Sequence, residues 1–135
     1  MTVPFQGLYS ASKHALEAYT ESLRMEVRAF GIEVTIVEPG DFATGFTSSR
    51  RVVGELTQGA YAQTFSASLK AMERDEQGAS PPDPVAAVIA KAIATSRPRP
   101  RYPVGQFAQT FGVAVRPFFP DRWYEAIIRK MYDID

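Results

Sequence analysis

The sequence predicts an α/β fold whose parallel sheet is incomplete within its 135 residues, and three observations carry that prediction. A long amphipathic helix runs directly into a short, β-branched stretch. Further helical segments follow with only one more short strand among them. The first strand has the composition of one buried on both faces of a parallel sheet, a position that needs hydrogen-bonding neighbours on either side.

Residues 9–30 are rich in Ala, Leu, Glu, Lys and Arg, and Leu16, Tyr19, Leu23, Val27 and Phe30 recur at steps of three and four, the period of an amphipathic helix. Gly31 follows the last periodic residue, where a left-handed cap is easiest for a residue without a Cβ, so the helix is expected to stop there. Residues 32–37, Ile-Glu-Val-Thr-Ile-Val, then read as the buried strand, ended by Glu38-Pro39-Gly40. No period holds over 41–54, which reads as a loop. A helix is expected over 58–76 with Tyr61, Phe65, Leu69 and Met72 on one face, and residues 78–82, Gly-Ala-Ser-Pro-Pro, interrupt it.

Asp83 is the expected N-cap of the next helix, 85–95, with Pro84 in the first turn, where its missing N–H costs nothing. Arg97-Pro98-Arg99-Pro100 breaks that helix. Residues 102–104, Tyr-Pro-Val, suit a short edge strand, since proline is tolerated only where the ladder needs no donor. Two short helices complete the chain, one over 106–115 and one over 122–132, the latter after Pro120 with Asp121 as its cap. Two strands alone are marginal in water. Partner strands therefore come from another chain, or the sequence is part of a longer one.

Composition narrows the function. Fifteen Lys plus Arg balance fifteen Asp plus Glu, so net charge favours neither nucleic acid nor an anionic membrane, and a small molecule is the expected ligand. The absence of cysteine and the single histidine leave little with which to build a transition-metal site, and no metal is expected. No apolar run approaches the roughly 20 residues that span a bilayer, and a cytoplasmic location is the default expectation.

Tyr9 and Lys13, four residues apart, share one face of the first helix one turn from each other. An ammonium so placed favours the phenolate over the phenol, which suits Tyr9 to proton exchange with a carbonyl or alcohol oxygen. Spacing alone fits equally a surface aromatic beside a solvated lysine. His14 points to another side of the helix and is given no role. Arg97, Arg99 and Arg101, interleaved with prolines, read as a solvated connector.

The wider context is more specific. Tyr9-Ser10-Ala11-Ser12-Lys13, then the helix with Ala15, then a strand ending in Pro39-Gly40 with Thr44 four residues on, closely resembles the short-chain dehydrogenase/reductase family over residues 5–46. The resemblance implies that 1–135 form the C-terminal part of a single Rossmann-type domain, a doubly wound parallel sheet whose cofactor-binding N-terminal half lies outside this sequence. It implies catalytic roles for Tyr9, as proton donor or acceptor, and for Lys13, which binds the nicotinamide ribose. It further implies that Tyr9, Lys13, Pro39, Gly40, Phe42 and Thr44 line the cofactor, NAD or NADP, with Phe42 at a position more often aliphatic.

The family's glycine-rich phosphate loop and its catalytic serine are not in the sequence. Preference between NAD and NADP therefore cannot be read, and the chain by itself is expected to be inactive. Residues 81–86, Pro-Pro-Asp-Pro-Val-Ala, and 101–105, Arg-Tyr-Pro-Val-Gly, are similar to the hydroxysteroid and retinol dehydrogenase-like branch. The implied reaction interconverts a secondary alcohol and a ketone, with an apolar substrate suiting the Tyr61, Phe65, Leu69 stripe. Family members commonly assemble through the helix that carries the catalytic pair. Ala11, Ala15, Ala18 and Ser22, spaced for close helix approach, extend that expectation to a homo-oligomer of the complete protein. Two alternatives remain: an epimerase or dehydratase sharing the Tyr-x-x-x-Lys pair, which the Pro-Gly-x-x-x-Thr turn fits less well, and a truncated, non-catalytic fragment or interaction module.

Overall fold

The structure, a computed structural model, describes residues 2–134. Helix α1 spans Gly7–Val27 and tightens into a 3₁₀ turn at Arg28–Phe30. Gly31 then adopts φ 71° and donates its N–H to the Arg28 carbonyl at 3.1 Å, the left-handed stop expected from its lack of a Cβ. Strand β1 is Ile36–Pro39, α2 is Ala62–Gln77, α3 is Asp83–Ala94, β2 is Arg101–Val104, α4 is Phe107–Val115 and α5 is Asp121–Met131.

The fold is α/β. β1 and β2 pair in parallel, with Ile36 opposite Arg101 and Pro39 opposite Val104, and α3 packs against both strands. Ile36 donates to the Pro100 carbonyl at 3.0 Å and Gly40 to that of Val104 at 2.7 Å. In a parallel ladder this alternation turns the even-numbered backbone groups of each strand toward the other. Pro39 and Pro103 therefore fall at outward-facing positions, and neither removes a rung.

Several sequence expectations need correction. The strand lies at 36–39 and not at 32–37, because the ladder forms only where β2 runs alongside; upstream, Thr35 is tied by its hydroxyl to the Arg99 carbonyl at 2.6 Å. β1 is also half-buried, not buried on both faces, since β2 is the one strand beside it among the described residues. Asp83 and Asp121 are the first residues of their helices and not the caps: Pro82 and Pro120 occupy the cap positions. Their carboxylates still sit in the first turn, where the helix dipole favours negative charge. The apolar stripe of α1 is largely uncovered, with Leu16, Tyr19 and Phe30 exposed, and Ser10 is the helix's buried residue.

The core sits at the other end of the chain. Ala71 and Met72 of α2 meet Ile128 of α5 and Tyr132 just beyond it, with Val3, Tyr124 and Ile134 packed around them. Phe65 and Met72 of the expected α2 face are buried, whereas Tyr61 precedes the helix and is exposed. Burial pushes the Tyr132 phenol up to about 12, helped by the negative charges of Asp41 and Asp75. The N-terminal segment joins this core to α1: Gln6 Nε2 lies 3.1 Å from Met72 Sδ, and Val3 donates its N–H to Ser10 Oγ at 3.4 Å. No helix of the described residues is long and apolar enough to cross a membrane.

Candidate active site

The first turn of α1 is fixed from below. Phe5 takes a left-handed φ of 61° as the chain turns toward the helix, and its ring packs edge-on against Phe65 at 5.4 Å. With Ser10 buried on the inner side, Tyr9 and Lys13 emerge on the open side of the helix, both exposed. Lys13 Nζ lies 5.2 Å from the centroid of the Tyr9 ring, so the ammonium sits with the aromatic group one turn before it. Ser12 turns its hydroxyl back to the Tyr9 carbonyl at 2.7 Å. His14 Nδ1 lies 2.8 Å from the Ser10 carbonyl oxygen, bound to its own helix.

The segment that follows β1 meets Tyr9 through the ring of Phe46. Gly40 stays on the ladder through its bond to Val104, and Ala43 donates to the Ser80 carbonyl at 2.9 Å, which ties the turn to the α2–α3 connection. Thr44 Oγ1 accepts the Phe46 N–H at 3.3 Å, which leaves its own proton available to a ligand. A shallow hollow of about 420 Å³ opens here, lined by Ala43, Thr44, Ser48, Glu76 and Gln77. Phe42 is half-buried. The ring that meets Tyr9 is Phe46, tilted at 59° with centroids 6.0 Å apart. Arg50 stands over Phe46 at 5.8 Å and is held by Glu76 at 2.5 Å and Glu73 at 3.8 Å.

Phe46 and Arg50 were not singled out in the sequence, because no spacing rule links a loop aromatic to a helix more than thirty residues earlier. Arg101 corrects the sequence reading outright. Far from being part of a solvated connector, its guanidinium binds Glu17 at 3.1 Å and Glu21 at 2.8 Å on α1, and Glu38 on β1 more closely still. The bond to Glu21 is the largest reason that Arg101 holds its proton more tightly than a free arginine. The same bond, with the guanidinium's charge, holds the Glu21 carboxyl below the usual range.

Comparisons with known proteins give the chain its family. Residues 1–52 match the family model described as short chain dehydrogenase. The chain is 40% identical to a 3-ketodihydrosphingosine reductase of Bacteroides thetaiotaomicron over 99% of its own length and 50% of that protein's. It is 33% identical to an NADPH-dependent 3-dehydrocapnine reductase of Ornithobacterium rhinotracheale, over 96% of the chain and 46% of the relative. It is 35% identical to retinol dehydrogenase 16 of Mus musculus, over 79% of the chain and 38% of the relative. The chain thus spans about half the length, or less, of these relatives. It belongs to the short-chain dehydrogenase/reductase family of oxidoreductases.

Proposed function

From that family membership as premise, we propose that the chain is the C-terminal part of an NAD(P)-dependent reductase that interconverts a ketone and a secondary alcohol, with Tyr9 and Lys13 as its catalytic pair. The observation that carries this reading is the placement of the Lys13 ammonium 5.2 Å from the Tyr9 ring, on an open face. The donor set suits the nicotinamide end of a dinucleotide: Lys13 offers an ammonium to ribose hydroxyls, and Thr44 retains a free hydroxyl proton at the turn.

When bound, the nicotinamide supplies or accepts hydride at the substrate carbon. In the reductive direction Tyr9 gives its phenolic proton to the carbonyl oxygen, and its exposure allows solvent to return one. The Lys13 ammonium stands beside the ring on which negative charge develops during the transfer. Gly40 and Pro39 hold the turn on the sheet, and half-buried Phe42 and Thr44 complete the cofactor side. The Phe46 ring beside Tyr9 offers a wall to an apolar substituent.

Two relatives bear names that denote reduction of a 3-keto or a 3-dehydro compound, which favours ketone reduction as the working direction, and one of those names specifies NADPH. Ala11, Ala15, Ala18 and Ser22 are all exposed along α1, which supports a homo-oligomer assembled on this helix. The test is Tyr9→Phe in a protein that includes a complete cofactor-binding half. Turnover is expected to fall by at least about 10², the scale of lost general acid–base catalysis, with cofactor affinity little changed. Turnover equal to that of the unsubstituted enzyme removes Tyr9 from the mechanism.

A further inference from the structure

Tyr9, Lys13, Glu17 and Glu21 follow one another at steps of four and so form a single stripe along α1. A lysine and a glutamate four residues apart lie within ion-pair reach on one helix face, even in the order with the lysine first, which is the weaker of the two. Helical side chains lean toward the N-terminus, which carries the Glu17 carboxylate toward Lys13. Yet among the described residues Lys13 makes no ion pair, and its ammonium leans onward to Tyr9. The Glu17 carboxylate is instead held 3.1 Å from Arg101, which also takes Glu21 of the same stripe and Glu38 of β1.

The geometry points to Arg101 as a positioning residue: arriving from β2, it occupies the Glu17 carboxylate and so leaves the Lys13 ammonium with Tyr9. This inference deepens the proposed reading of the Tyr9–Lys13 site and rests on it for its catalytic consequence, though not for the ion-pair exchange itself. Two features make Arg101 suited to the task. Its guanidinium presents several donors in a fixed fork and so serves three carboxylates at once, which a lysine ammonium cannot match in the same geometry. Its hold on Glu38, next to Pro39, also sets α1 against the end of β1 from which the Pro39–Thr44 turn departs. When Arg101 is removed, the nearest lysine or arginine to Glu17 on its own helix is Lys13, one turn away.

The experiment reads Lys13 directly. The full chain is acetylated under limiting reagent, and the rate at Lys13 is measured by peptide mass spectrometry against Lys70 and Lys91 as references. An ammonium captured by a carboxylate gives up its proton less readily and reacts more slowly. Arg101→Met is expected to slow Lys13 labelling roughly two- to fivefold, the scale of one exposed ion pair. Adding Glu17→Gln to that variant is expected to restore the rate, because a neutral amide does not compete for the ammonium.

A tether that merely steadied the helix would not be rescued by a second substitution on the same helix. Unchanged labelling in Arg101→Met, or slowed labelling that Glu17→Gln fails to restore, overturns the proposal. Circular dichroism checks that each variant folds. Should Arg101→Met not fold, Arg101→Lys replaces it: one ammonium leaves part of the carboxylate cluster unsatisfied, and the same rescue is required. In the complete enzyme, turnover is expected to follow the same loss and recovery. If labelling follows this pattern while Tyr9→Phe turns over normally, the ion-pair arrangement stands and the assignment of Tyr9 fails.

Discussion

The flank that carries the proposed Tyr9–Lys13 pair and the apolar cluster between α2 and α5 are held together by different forces. Around α1, β1 and β2 the ties are polar: one guanidinium on three carboxylates, a buried serine, and a two-stranded ladder. Large apolar side chains of α1 meanwhile stay open, with Leu8 91% and Met25 70% exposed. Between α2 and α5 the ties are apolar, with Ala71, Met72, Ile128 and Tyr132 all under one-tenth exposed. The difference teaches that apolar burial and polar tethering are assigned to separate parts of the chain. Burial holds the second region by itself, whereas the first keeps its face open for a ligand, a partner strand or another copy.

Three perturbations break or sharpen that contrast. The largest is expected from Ile128→Ala, which opens a cavity between α2 and α5 and is expected to lower unfolding stability by about 2–5 kcal/mol in urea denaturation. Lys13 labelling in the folded fraction is expected to stay constant. A loss below about 1 kcal/mol would show that α5 does not pack on α2 as described.

Alkali acts on the same region. Because the folded Tyr132 phenol is held near 12 against about 10 when unfolded, its contribution is fully present below pH 10 and is lost as pH rises from 10 toward 12. Two units of difference correspond to ~2–3 kcal/mol. Denaturation midpoints measured across that window are expected to fall less in Tyr132→Phe than in the parent, after correction for the lysines that titrate there. Equal slopes would show that Tyr132 is not held neutral by its burial.

The smallest effect belongs to the polar flank. Gly31→Ala meets no neighbour within 4 Å of the added Cβ, so only the left-handed backbone at φ 71° resists it, at a cost of about 1 kcal/mol. Thermal unfolding that shifts no more than experimental error would mean that the turn after α1 relaxes freely.

What was legible in the sequence follows the same division. Local rules found α1 and its Gly31 stop, the proline-bearing β2 and the shared face of Tyr9 and Lys13, because each depends on residues a few positions apart. The extent of β1 was misplaced because a ladder is defined by its partner: residues 32–35 have strand composition, but β2 runs beside 36–39. The two aspartate caps were misplaced by one residue because Pro82 and Pro120 already serve as the non-helical entry. The Arg101 cluster was invisible for a deeper reason. Residues 17, 21, 38 and 101 converge only once the sheet brings β2 beside β1 and sets both against α1, and Arg-Tyr between prolines resembles any exposed connector.

The outward-facing prolines of the ladder give the sheet a direction of growth. On the free edge of β2 the central outward position is Pro103, which has no N–H to offer, so a further strand docking there would meet a gap in the middle of its hydrogen bonds. On the free edge of β1 the missing donor is Pro39, at the very end, and Val37 presents both its amide and its carbonyl outward. Any strand that enlarges this sheet, whether contributed by the same polypeptide or by another, is therefore steered to the β1 side. The proline at the middle of β2's free edge also discourages edge-to-edge pairing of one molecule's β2 with the next.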